Sequence, residues 1–207
     1  MSESVYQLKV TLHGIKPLIW RRLRVPGGID LLSLHHAIQI AFGWTDSHLH
    51  QFTIGRAVYA MDEDGGYSGA DGREDETSLE QIAKAKSKLR YEYDFGDSWQ
   101  HDIVVERVEA GSPDEPAVAC VAGKRAGPEE DSGGPWGYMD KLKAFANETH
   151  EDHADIRDWF GDDFDPKAFD IDRVNARLAK AFRLPKKKTQ KKTKTKKKAL
   201  PFSPSLH

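Results

Sequence analysis

The chain has little cysteine, no long apolar run and, beyond Asp172, no acid. A single cysteine, Cys120, among 207 residues allows no intrachain disulfide and no zinc site built from several thiolates. No apolar stretch approaches the roughly 20 residues that span a bilayer. The start, Met-Ser-Glu-Ser-Val-Tyr, lacks the basic and apolar segments of a secretory signal. The expectation is a cytoplasmic protein with no membrane contact. Hydrophobic residues make up 38%, below the globular average. The deficit is concentrated between Asp62 and Glu76 and beyond Pro185, so the remainder can still bury a core.

The missing acids leave a strong asymmetry. The formal charge is −2, yet nine lysines lie between Lys186 and Lys198, so everything else carries −11. An acidic body does not attract nucleic acid through its general field. DNA or RNA contact would need the tail, with Lys186, Lys187, Lys188, Lys191 and Lys192 foremost, or a local patch. Trp20 with Arg21, Arg22 and Arg24 is the basic-aromatic cluster of the body. Guanidinium groups grip phosphates bidentately and an indole stacks on bases. The competing reading is a solvated strand face whose arginines pair with the body's carboxylates.

Alternation over Val5 to His13 and Leu18 to Val25, around Gly14-Ile15-Lys16-Pro17, predicts an antiparallel hairpin. Asp30 stands at a helix N-cap position before Leu31, Leu34, His35, Ile38 and Phe42, and Gly43 ends that helix. His48 to Ile54 and Val58 to Met61 read as paired strands. Asp62 to Glu76, rich in Gly and acid, reads as a solvated loop. Thr77 or Ser78 starts a short helix through Ile82. Val118 to Val121 reads as a short strand or extended segment. Gly123 to Gly137 reads as a structural loop that passes close to the sheet, and helices follow at Tyr138–Asn147, His153–Phe160 and Phe169–Leu184. This pattern predicts one α+β domain over residues 1–184 and a disordered Lys-rich tail over 185–207.

The most informative stretch is Tyr-Glu-Tyr-Asp-Phe-Gly-Asp-Ser-Trp-Gln-His, residues 91–101. Strand-like residues on both sides of Asp94-Phe95-Gly96-Asp97-Ser98 predict a β-hairpin, with Gly96 free to take a positive φ. By the same reading Gly72, in the acidic loop, tolerates a side chain. A turn needs Gly and Asp, but not Trp99 and His101 beside them.

Four phrases carry a resemblance. They are Tyr6–Val10 with Pro17–Arg22, Leu34-His35 through Gly43-Trp44 to His48–Phe52, Tyr93–His101, and Cys120 through Glu130–Tyr138. In this order, over about residues 5 to 183, the chain resembles the Ri-plasmid (pRiA4b) ORF-3-like protein family. The resemblance implies an α+β domain with a mixed, mostly antiparallel sheet, in a plasmid or mobile-element setting, and implies no established activity. Many members of that family carry further cysteines after the position of Cys120. Here those positions read Gly127, Glu129 and Ser132, so a thiol-based site is not expected.

Several constellations carry chemistry. His48 and His50 are two apart on an expected strand, so both imidazoles face one way and can begin a divalent-metal site. His101, Asp97, Glu130 and Asp131 are candidates to complete it. Alternatively, His48 caps a turn and His50 makes one internal hydrogen bond. Asp94 and Asp97 form a general acid/base pair if burial separates them; otherwise both hold a turn. Three function classes remain. The first is a binding or accessory module contacting nucleic acid. The second is a metal-assisted hydrolase or nuclease using the His, Asp and Glu candidates. The third is a protein-interaction domain using aromatics such as Trp136 and Trp159.

Overall fold

A computed structural model describes residues 4–61, 69–112 and 115–183. The candidate tail residues Lys186, Lys187, Lys188, Lys191 and Lys192 lie outside the described residues, as does the first part of the acidic loop. Eight strands form one sheet: β1 (Ser4–Leu12), β2 (Trp20–Pro26), β3 (His50–Ile54), β4 (Ala57–Ala60), β5 (Gly72–Arg73), β6 (Lys88–Tyr93), β7 (Trp99–Ala110) and β8 (Ala119–Lys124). Their order is β5-β4-β3-β6-β7-β1-β2-β8, and every pairing is antiparallel except β4 with β5. Five helices accompany them: α1 (Leu31–Phe42), α2 (Leu79–Ile82), α3 (Gly134–Ala146), α4 (His153–Phe160) and α5 (Ile171–Ala181).

Period-two alternation decides which face of the sheet is covered. Leu8, Val10, Leu23, Val25, Leu89, Tyr91, Ile103 and Val105 point to a buried side shared with α1. The other side carries polar residues that pair with one another: Gln7 and Arg22 meet Glu106, and Arg90 meets Asp102. Helix α1 begins as the sequence predicts, with Asp30 Oδ1 accepting the Ser33 N–H at 2.6 Å, and ends at Gly43 with φ 94°. Asn175 of α5 clamps the β8 edge, accepting the Cys120 N–H at 2.8 Å and donating to its carbonyl at 2.9 Å.

Three local expectations need correction. The β6–β7 hairpin forms, but Gly96 is not its left-handed residue; Asp94 (φ 57°) and Ser98 (φ 51°) are. Asp94 tolerates this because its own carboxylate accepts the Gly96 and Asp97 amides, an Asx turn that rewards the strained backbone. The acid-rich segment is not loop throughout. Its described end forms β5, and Glu74 next to it is fully buried. Helix α3 starts four residues earlier than expected because Gly133 (φ 82°) turns the chain and Pro135 suits a first turn.

Candidate functional site

Three loops meet above the end of the β3–β6–β7 region: residues 44–48 after α1, the hairpin tip 94–98, and 128–134 before α3. Hydrogen bonds, the Trp44 one buried and those of Tyr93 half-buried, tie them together. The Trp44 indole donates to the Pro128 carbonyl at 2.8 Å. The Tyr93 hydroxyl accepts the Ser47 N–H at 2.9 Å and donates to Glu130 Oε1 at 2.5 Å. Thr45 gives Glu130 both its N–H, at 3.2 Å, and its hydroxyl. Asp97 Oδ2 accepts the Gly133 N–H at 3.0 Å, and a Cβ on Gly134 would sit 2.4 Å from the Asp97 carbonyl oxygen. Only glycine allows that approach.

On this frame stand His48, Asp94 and Asp131. His48 Nδ1 lies 3.8 Å from Asp94 Oδ2, and Nε2 lies 3.4 Å from Asp131 Oδ1. One donor atom from each residue falls within 4.8 Å of the others. Asp94 and Asp131 both hold left-handed backbone (φ 57° and 58°), as does Asp46 (φ 62°) in the adjoining loop. Such conformations cost about 1–3 kcal/mol each and persist where surroundings enforce them. Burial works to raise the Glu130 carboxyl's pKa, but hydrogen bonds from Thr45 and Tyr93 outweigh it and hold it below the ordinary value. The Tyr93 hydroxyl is raised, by burial first and then by its bond to Glu130. Glu130 is therefore an ionised brace between loops.

The remaining candidates lie elsewhere. His50 does not share a partner with His48, because β3 begins only at His50 and His48 stands outside the strand period. Its Nε2 lies 2.9 Å from Glu74 Oε1, and its ring stacks on His35 at 3.5 Å and 7°. His101 is fully buried, with Nδ1 3.0 Å from the Trp99 carbonyl oxygen and with Phe42, Trp44 and Tyr91 around its ring. Burial lowers its pKa to about 3, so it is a neutral core side chain with no place in the loop cluster.

The arginines do not form one patch, since β2 alternates. Arg21 points inward and is 2% exposed, bonded to the carbonyls of Ala41, Trp20 and Lys124 and lying 4.0 Å from the Phe169 ring centre. Desolvation brings its pKa down to about 10. Arg22 forks onto Glu106 at 2.7 and 2.9 Å, and Arg24 onto Glu115 at 2.8 and 2.9 Å, with Glu109 3.0 Å away. Trp136 is 85% exposed and Trp159 41%.

Sequence reasoning missed a polar chain under the loops. Gln39 Oε1 accepts the Asp46 N–H at 3.0 Å, while Gln39 Nε2 donates to the Tyr91 hydroxyl at 3.0 Å. Tyr91 lies 2.7 Å from His35 Nδ1, and His35 Nε2 lies 2.7 Å from Asp46 Oδ1. The available signal was His35 and Gln39 on the apolar stripe of α1, four residues apart. Burial, then the neighbouring His50, lowers His35 to about 3.

An α+β domain with one mixed sheet and a loop-built imidazole–carboxylate cluster is the class these features define. The sequence profile of the plasmid pRiA4b ORF-3-like proteins matches residues 4–173, and the chain belongs to that family. It is 39% identical over 178 residues to an uncharacterised protein, y4hQ, of Sinorhizobium fredii, covering 84% of this chain and 91% of that one. It is similar to the crystal structure of a protein of unknown function from Methanosarcina mazei Go1, with 37% identity, a TM-score of 0.78, and coverage of 84% of this chain and 98% of that one. No helix among the described residues is long and apolar enough to cross a membrane.

Proposed function

We propose that this protein binds a divalent metal ion through His48, Asp94 and Asp131, and that the ion serves hydrolytic chemistry. The observation that carries this reading is the convergence of three donors, from three separate loops, on a frame cross-braced by Trp44, Tyr93, Glu130 and Asp97. Ligands at about 2.0–2.2 Å from one ion lie roughly 3–4.4 Å apart; with a single His48 nitrogen on the ion, the three donor atoms fall within 4.8 Å of one another, so a modest closure completes the set. Asp131 has an exposed side chain that can supply it. One imidazole and two carboxylates suit zinc or manganese, and three protein ligands leave positions open for water and substrate. The bound ion would lower the pKa of that water and supply the nucleophile. The intramolecular ion pairs of Arg22 and Arg24 and the burial of Arg21 weigh against a nucleic-acid site on this sheet, so a nucleic-acid contact would rest on Lys186 to Lys198.

Titration calorimetry with Mn²⁺ and Zn²⁺ tests the reading. One equivalent should bind to the wild type, and affinity should fall at least about tenfold, roughly 1.4 kcal/mol, in His48→Ala and Asp94→Asn. Unchanged affinity in both variants would remove the site. Hydrolysis of bis(p-nitrophenyl) phosphate and of p-nitrophenyl acetate, with and without the ion, tests the chemistry separately.

A further inference from the structure

The buried polar chain ends in a second place where chemistry can be done. Between α1 and the last turn of α5 lies an open cleft of about 540 Å³. His36, Asp46 and Arg177 line it, with Ile40, Trp44 and Phe182 forming apolar walls. His35, His36 and Asp46 stand close enough to suggest a cation site, but the hydrogen bonds argue otherwise. The Asp46 amide fixes the Gln39 side chain with its oxygen toward Asp46, so its NH₂ must donate to Tyr91. The Tyr91 proton is then left for His35 Nδ1. With Nδ1 accepting, the neutral His35 ring carries its proton on Nε2 and gives it to Asp46 Oδ1. His35 Nε2 therefore has no lone pair to offer an ion.

The same chain immobilises Asp46. One oxygen is taken by His35 and the other faces His36 Nε2 at 3.4 Å. The first oxygen is hydrogen-bonded, and the second makes only this longer contact. Arg177 makes no ion pair with another described residue, so its guanidinium is free to meet a ligand in a cleft that also carries the Asp46 carboxylate.

We propose that this cleft binds a small organic anion, a carboxylate or phosphate head on an apolar body. Arg177 grips the head, since its planar fork matches either group bidentately. His36 lines the cleft with Nε2 turned to Asp46; a neutral ring so placed has no second proton to donate, so Arg177 carries the recognition of the head. Ile40, Trp44 and Phe182 cover the body, in keeping with pockets that are mostly apolar around a few placed polar groups. The cleft shares Trp44 and Thr45 with the braced loops but none of the proposed metal ligands His48, Asp94 and Asp131, so its ligand binding can be tested apart from the metal reading.

The test uses the full chain, stripped of metal with chelator, and three probes that share a phenyl body: phenyl phosphate, phenylacetate and neutral 2-phenylethanol. Calorimetry at millimolar concentrations should show one or both anions binding and the alcohol not; the stronger anion identifies the head group. Arg177→Gln should weaken the anion at least about tenfold, roughly 1.4 kcal/mol. His36→Gln should weaken it less, and His48→Ala should leave it unchanged. Arg177 and His36 are both substantially exposed, so neither variant threatens the fold. Equal binding of all three probes, binding of none, or binding indifferent to Arg177→Gln would overturn the proposal.

Discussion

His101 and His48 each pack against a tyrosine of β6, Tyr91 at 5.3 Å and Tyr93 at 5.7 Å between ring centres, and there the likeness ends. His101 sits on β7, fully buried, with the rings of Phe42, Trp44 and Tyr91 around it. His48 stands on a loop, has a side chain 30% exposed, and faces two carboxylates. The same imidazole is core packing in one place and a candidate ligand in the other. What separates them is the element that carries each: a central strand buries alternate side chains, whereas a loop tied down by its backbone leaves side chains free to serve a ligand.

The largest test of this contrast removes the buried ring. His101→Ala deletes a fully enclosed side chain amid aromatic neighbours, so a loss of about 3–5 kcal/mol is expected, as for other buried aromatic truncations. Denaturant unfolding with unchanged m-values measures it. A loss below about 1 kcal/mol would mean that the pocket is loosely packed and that His101 is not a core residue in solution.

A second test sets a packed glycine against an open one. From the sequence, Gly96 occupies a demanding turn and Gly72 a permissive loop; the structure reverses this. A Cβ on Gly72 would lie 2.9 Å from the Tyr59 ring, while one on Gly96 meets only Asp94 Oδ1 at 3.2 Å, outside the left-handed region. Gly72→Val should cost about 1–3 kcal/mol by overpacking, and Gly96→Val less. The opposite ranking of unfolding midpoints would restore the earlier reading of the hairpin tip.

This reversal marks the boundary of what was legible. The helix from Asp30 to Gly43, the β6–β7 hairpin and the order of family phrases all rest on local spacing, and local spacing is what a sequence displays. Glu74 closing on His50 and the path from Gln39 through Tyr91 and His35 to Asp46 depend on contacts 11 to 56 residues apart. Strand alternation alone separates Arg21 from Arg22, but only if the strand's start is placed correctly. Of the site, Asp94, Asp131 and His48 were each named in advance. Their convergence was not, because it depends on how three loops cross.

Acidification distinguishes the two regions by their protons. His101 and His35 have pKa values of about 3 in the fold, below the ordinary 6.5 of an unfolded histidine. Between those values the unfolded chain binds protons that the folded chain refuses, so each group's contribution is complete above pH 6.5 and is lost as pH falls toward 3. The expected slope is about 1.4 kcal/mol per pH unit for each buried histidine. His101→Phe, which keeps the ring volume, should make the decline between pH 6 and pH 4 shallower by about that amount per unit. An unaltered slope would show that His101 takes up a proton in the folded state.

The smallest expected effect completes the comparison. His48→Ala removes a partly exposed imidazole that meets the core edge-on at Tyr93, and its nearest charged partners are 3.4 and 3.8 Å away, longer than good hydrogen bonds. Long contacts of this kind contribute little, so stability in chelator should change by less than about 1 kcal/mol. With Mn²⁺ or Zn²⁺ present the outcome should differ. An ion that binds only the folded wild type stabilises it by about 2.7 kcal/mol at one hundred times Kd, and the variant should lose most of that gain. The loop region would then be neutral to folding and decisive for the ligand, the reverse of His101. If His48→Ala instead destabilised the metal-free protein as much as His101→Ala does, the cluster would be structural cross-bracing, and the metal reading would have to be given up along with the contrast.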